Sequence, residues 1–122
     1  QASQAAIERL KPAHSASKAI RQWALGQLDK GAPSIEQAAA FMHMSSRNLQ
    51  RKLADEGTNL ASIVDEISQS EANRRLKQSQ DSLTAIALDL GFSDASAFSR
   101  ACKRWFGKSP SEIRQDSLGA SN

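Results

Sequence analysis

Apolar residues along this chain recur three and four positions apart, the spacing of one helix face, and nowhere alternate over the length of a strand. Ile20, Trp23, Ala24 and Leu28 form the first such series. They predict a helix capped by Ser17 and stopped by Gly31-Ala32-Pro33. Ser34, with Gln37 three residues on, is a capping box that opens a second helix through Ala38, Ala39, Phe41 and Met42. Ser45 caps a third, with Leu49 and Leu53 on its buried side and Gly57 at its end. A longer fourth helix runs over about 59–77 on Leu60, Ile63, Val64, Ile67, Ala72 and Leu76. Ser82 caps a fifth, carrying Leu83, Ile86, Ala87 and Leu90, which Gly91 closes. Ser93 caps a sixth, carrying Phe98, Cys102, Trp105 and Phe106, which ends at Gly107. Ser109-Pro110-Ser111-Glu112 is a further capping box with proline at the first helical position. The fold class is therefore all-α.

The chain also repeats itself. At an offset of 48, Ser34, Ala39, Met42, Met44 and Ser45 fall on Ser82, Ala87, Leu90, Phe92 and Ser93. At 49 the match continues with Leu49, Arg51 and Leu53 on Phe98, Arg100 and Cys102, so the second copy has one extra residue where its second helix begins. Each copy is a capped short helix, a tight turn and a longer basic helix, the layout of a helix-turn-helix. Two copies in register, each with an outward arginine at the equivalent place, point to nucleic acid more strongly than one αα-hairpin would.

Charge agrees with that reading. Sixteen Lys and Arg against thirteen Asp and Glu leave only +3, but the excess is local. Residues 45–53 hold Arg47, Arg51 and Lys52 without an acid, and 94–108 hold Arg100, Lys103, Arg104 and Lys108 against Asp94 alone. With 122 residues there is room for one domain or two very small ones. No apolar run approaches the roughly 20 residues of a membrane span, and one cysteine cannot form an internal disulfide. A reducing, cytoplasmic compartment is expected.

The stretch from Ile86 to Arg100 (IALDLGFSDASAFSR), followed by Lys103-Arg104-Trp105-Phe106-Gly107-Lys108-Ser109-Pro110 and Ile113-Arg114, closely resembles the signature of the AraC/XylS family of bacterial transcription regulators. The resemblance covers roughly 18–115. It implies a seven-helix DNA-binding domain with two helix-turn-helix units joined by a long helix. Two positions depart from the family pattern: Cys102 stands where an aromatic is usual, and His43 where the first turn often has glycine. On this reading 1–16 is a linker from a missing amino-terminal domain, 17–116 the DNA-binding domain, and 117–122 a tail. Within the domain the first helix-turn-helix covers about 34–56, the connecting helix about 59–77 and the second helix-turn-helix about 82–106.

With Leu49 and Leu53 facing inward, Arg47, Asn48, Gln50 and Arg51 lie toward the opposite face of the third helix. Arginine can bridge O6 and N7 of guanine, and glutamine N6 and N7 of adenine. The resemblance makes Arg47, Gln50 and Arg51 the principal base readers. On the sixth helix Ala95, Ser96, Ser99 and Arg100 take that role, with Arg100 as the main specific contact and short contacts from the others. Ser45, Ser46 and Ser93, beside helix N-termini, are phosphate candidates, as are Lys103, Arg104 and Lys108.

A connecting helix over 60–77 is about 27 Å long at 1.5 Å per residue. That length suits recognition helices about 34 Å apart, so that one copy reads two successive major-groove segments. The expected partner is double-stranded promoter or operator DNA, with RNA polymerase a second candidate. This segment is expected to be monomeric, and the full-length protein dimeric through the missing domain. A helical protein-interaction module using the same basic faces is the competing class. The aromatic residues are assigned to core packing and Cys102 to the role of a small core residue. No Cys/His spacing for a metal, no phosphate-binding glycine loop and no catalytic constellation is present, so neither a cofactor nor an enzyme activity is expected.

Overall fold

The computed structural model describes residues 15–120, with side chains over 16–116. Among the described residues are seven α-helices, one 3-10 turn and no strand. The helices are α1 (Ser15–Leu25), α2 (Ile35–Phe41), α3 (Ser46–Asp55), α4 (Leu60–Gln78), α5 (Leu83–Asp89), α6 (Ala95–Phe106) and α7 (Pro110–Ala120). They divide into two compact units. One comprises the described residues up to Gln27 together with Ala32–Asp65, the other Leu28–Gly31 together with the described residues from Glu66 on, so that α4 runs through both.

In the first unit Ala16, Ile20, Ala38, Ala39, Leu49, Leu53 and Ile63 form one buried cluster, with Trp23, Ile35, Met42, Met44 and Leu60 packed against it. Ala38 and Ala39 carry no side chain beyond Cβ, which lets α2 lie close to its neighbours. In the second unit Ile67, Ala72, Leu76, Ile86, Ala87, Leu90, Phe98, Ala101, Cys102 and Ile113 are buried. Phe98 is fully enclosed, a burial worth about 1.5 to 3 kcal/mol. Phe92 lies 5.4 Å from it and 6.1 Å from Trp105, ring centre to ring centre.

Arg114 ties the end of α4 to the loop that follows. Its guanidinium donates to the carbonyls of Leu76 (3.1 Å), Ser79 (3.1 Å) and Asp81 (2.8 Å). Carbonyls at a helix C-terminus have no partner within the helix, and this planar donor fork satisfies several at once.

The duplication is wider than the two helix-turn-helix stretches. Ala16, Ile20 and Ala24 of α1 are buried, as are Ser68, Ala72 and Leu76 at matching steps of α4. Ile63 early in α4 and Ile113 early in α7 are both buried, one turn after the capping residues Asn59 and Ser109. Each unit is thus a helix, a helix-turn-helix and the start of a further helix. One pair of places has diverged in chemistry. Trp23 and Phe41 stack at 5.3 Å in the first unit, whereas Arg75 and Asp89 hold the matching places in the second and form an ion pair at 2.6 Å.

Five expectations need correction. Helix α1 begins at Ser15 rather than being capped by Ser17, because the carboxylate of Glu56 accepts from the amides of Ala16 (3.3 Å) and Ser17 (2.9 Å). Leu28 belongs to the 3-10 turn Leu28–Lys30, after α1 has closed at Leu25 with Gly26 N–H donating to the Trp23 carbonyl. Phe41 is 44% exposed rather than core, since it is the last residue of a seven-residue helix, where its ring stacks on Trp23 at 5.3 Å but keeps much of its surface in solvent. Ser93 does not cap α6; Asp94 does. Helix α7 continues to Ala120, into the stretch expected to be tail.

Candidate nucleic-acid interface

Each helix-turn-helix is built on a cap, a turn and a second cap. Ser34 accepts from the amide of Gln37 (3.1 Å), and the Gln37 side chain accepts in return from the Ser34 amide (2.8 Å). Ser82 likewise accepts from the amide of Ala85 at 3.0 Å. Both short helices close the same way. The amide of Met44 donates to the carbonyl of Ala39 (3.0 Å), and that of Phe92 to the carbonyl of Ala87 (2.9 Å). This wrap needs a left-handed residue just before it. Gly91 supplies it at φ +89°, while in the first copy His43 adopts φ +58° with a full side chain.

The second caps differ. Ser45 Oγ accepts from Asn48 N–H at 3.1 Å to open α3. Asp94 Oδ1 accepts from Ala97 N–H at 2.8 Å to open α6. Asp94 lies 49 residues after Ser45, so Ser93 is the residue inserted in the second copy. The N-terminus of α6 consequently carries a carboxylate that α3 lacks, a fixed negative charge against the helix dipole.

Behind these caps the helices orient their side chains as amphipathic spacing requires. Leu49 and Leu53 of α3 are buried, leaving Arg47, Asn48, Gln50 and Arg51 exposed along the opposite face. Phe98, Ala101 and Cys102 of α6 are buried, leaving Ser96 and Arg100 exposed, with Ala95 and Ser99 half-buried. All eight expected base-reading residues therefore lie on accessible parts of two corresponding helices, four to each. The first set is the longer-reaching one.

The phosphate candidates are less alike. Ser45 is exposed, although its hydroxyl is engaged as the cap, and Ser46 is half-buried. Ser93 is exposed but stands outside the cap of α6. Lys103 and Arg104 are exposed on the last turn of α6, with the Arg104 guanidinium 5.6 Å from the centre of the Trp105 ring. Lys108 forms an ion pair with Asp116 of α7. That pairing holds the Lys108 ammonium above its usual pKa. Sequence spacing did not show Asp116, eight residues away and on another element. Asp94 was visible in the 49-residue offset, where it falls on Ser45, yet the adjacent serine masked it.

Burial pushes the Cys102 thiol up to about 11, as expected of a neutral core side chain. Among the described residues no group of three His, Cys, Asp or Glu side chains could hold a metal ion, and no helix is long and apolar enough to cross a membrane.

Comparison with known proteins agrees with this architecture. The helix-turn-helix domain family matches residues 38–116. The ornithine utilization regulator of Pseudomonas aeruginosa is 42% identical over 83 residues, which make up 68% of this chain and 24% of that protein. The HTH-type transcriptional regulator VirS of Mycobacterium tuberculosis is 39% identical over 87 residues, 71% of this chain and 26% of that protein. The chain thus spans about a quarter of the length of these two relatives. Among solved structures, the C-terminal domain of AraT from Geobacillus stearothermophilus superposes with a TM-score of 0.73 at 24% identity. That match covers 83% of this chain and 84% of the other, and shows a shared fold.

Proposed function

The chain belongs to the AraC/XylS family of helix-turn-helix transcription regulators, and from that membership we propose that it reads double-stranded promoter or operator DNA in the cytoplasm. The observation that carries this reading is the recurrence of one arrangement: Arg51 and Arg100, 49 residues apart, are both exposed on capped helices whose other face is buried. An arginine in a major groove makes a bidentate contact to guanine, and Gln50 beside Arg51 suits adenine.

Arg47, Asn48, Gln50 and Arg51 read one segment, and Ala95, Ser96, Ser99 and Arg100 a second. Lys103 and Arg104, with Ser45, Ser46 and Ser93, meet phosphates and set position rather than sequence, while Lys108, paired with Asp116, is a further phosphate candidate. One copy acts as a monomer across two successive major-groove segments, and because the two reading sets differ, so do the two half-sites. Selection of bound duplexes from a random pool tests the reading. It predicts a recovered bipartite motif and an affinity that falls steeply with salt. Recovery of no motif, with salt-sensitive attachment to any polyanion, would favour a basic protein-interaction surface instead.

A further inference from the structure

Helix α7 sets acids against the very lysines assigned to the phosphate backbone. Asp116 pairs with Lys108, and Glu112, one turn earlier on the same helix, is held below the usual carboxylate range first by its hydrogen bonds with Ser109, the charge of Lys103 being a smaller cause. Glu112 is itself held in place, its carboxylate accepting from the amide of Ser109 at 2.8 Å. Lys108 and Asp116 are each about half exposed, at 53% and 56%, so the pair is open to solvent and to any approaching anion. An exposed pair of this kind is weak enough to exchange.

We propose that Asp116 is an affinity-setting residue that competes with the DNA phosphates for Lys108. The proposal rests on the reading of this surface as a DNA interface. A lysine already neutralised by a carboxylate releases little counterion when DNA arrives, and a carboxylate beside the duplex repels it. Lys108 is therefore a withheld contact while Asp116 is present. Nothing in this depends on base sequence, so preferred and random duplexes respond alike.

The test is binding of the 122-residue chain to a labelled random-sequence duplex over a salt series, for the parent, Asp116→Asn, Lys108→Ala and the double variant. Asp116→Asn is expected to bind about two- to fivefold tighter, the factor matching an exposed ion pair. Its dependence of log K on log salt steepens by about 0.9, one added phosphate contact. Lys108→Ala changes little in the parent and cancels the gain in Asp116→Asn, a coupling that general charge removal would not produce. Three results overturn the proposal while leaving the interface intact: unchanged affinity and slope in Asp116→Asn, a gain that persists without Lys108, or an equal loss from Lys108→Ala in both backgrounds. A parent chain that binds no duplex overturns the interface and the proposal together.

Discussion

The amide of Ser17 donates to Glu56 Oε1 at 2.9 Å, so the residue whose hydroxyl would have capped α1 is itself capped by a side chain 39 positions away. A carboxylate here satisfies two amides of the first helical turn and opposes the positive end of the helix. Removing it leaves those donors to water and unties α1 from the end of α3. Glu56→Ala is expected to lower stability by about 1 to 2 kcal/mol, and Glu56→Gln by less. Urea unfolding checks this; a midpoint shared by Glu56→Ala and the parent would show that the contact contributes nothing.

The two turns make opposite predictions. A Cβ on Gly91 would sit 2.3 Å from the Leu28 carbonyl oxygen and 3.0 Å from Gly31 Cα, in a backbone conformation that side chains disfavour. Gly91→Ala should destabilise by roughly 2 to 4 kcal/mol. His43 already bears a side chain at φ +58° and is exposed, so His43→Gly should be neutral or stabilising by up to about 1 kcal/mol. Thermal unfolding of both variants decides; the reverse order would mean that backbone conformation does not govern these turns.

Cys102 links stability to alkaline pH. Its thiol is pushed from 9.0 up to about 11 by burial, so the folded chain keeps a proton that the unfolded chain sheds above pH 9. The contribution is fully present below pH 9 and is lost as pH rises toward 11. A parallel series of denaturation midpoints on the parent and Cys102→Ala should therefore converge over that interval. Rapid stoichiometric labelling of the native thiol by a disulfide reagent at pH 7 would contradict the buried, neutral assignment.

The parts of the fold that can be read from sequence are those whose causes are local. Ser34 with Gln37, Ser82 and Ser109 with Glu112 announce their helices because cap and amide are three residues apart. The exposed face of α3 follows from Leu49 and Leu53 by helical spacing alone. The Glu56 cap is invisible in that way, as a glutamate near the end of one helix carries no local sign of the helix it serves. Phe41 shows a different limit, since periodicity marks it apolar but cannot tell that it stays 44% exposed beside Trp23. Likewise the wider repeat escapes a single offset, because the loops between helices change length while Ile20 and Ala72, or Ile63 and Ile113, keep equivalent buried places.

Base reading predicts separable losses. Arg51→Ala and Arg100→Ala should each cost about 1 to 3 kcal/mol on the selected site and relax the preference in different halves of it. Lys103→Ala should instead weaken selected and random duplexes about equally and reduce the salt slope by about one. Competition binding with half-site mutants distinguishes them. Equal losses on random DNA from the arginine variants would assign those side chains to the backbone.

The most direct test of the central claim, that one chain reads two different segments, is footprinting on the selected duplex with the stoichiometry of the complex measured by sedimentation. The account predicts one chain per site, protecting two major-groove segments about one helical turn, or 10 base pairs, apart, with unlike sequences in direct orientation. Two chains on inverted identical half-sites, or protection confined to a single groove segment, would contradict it.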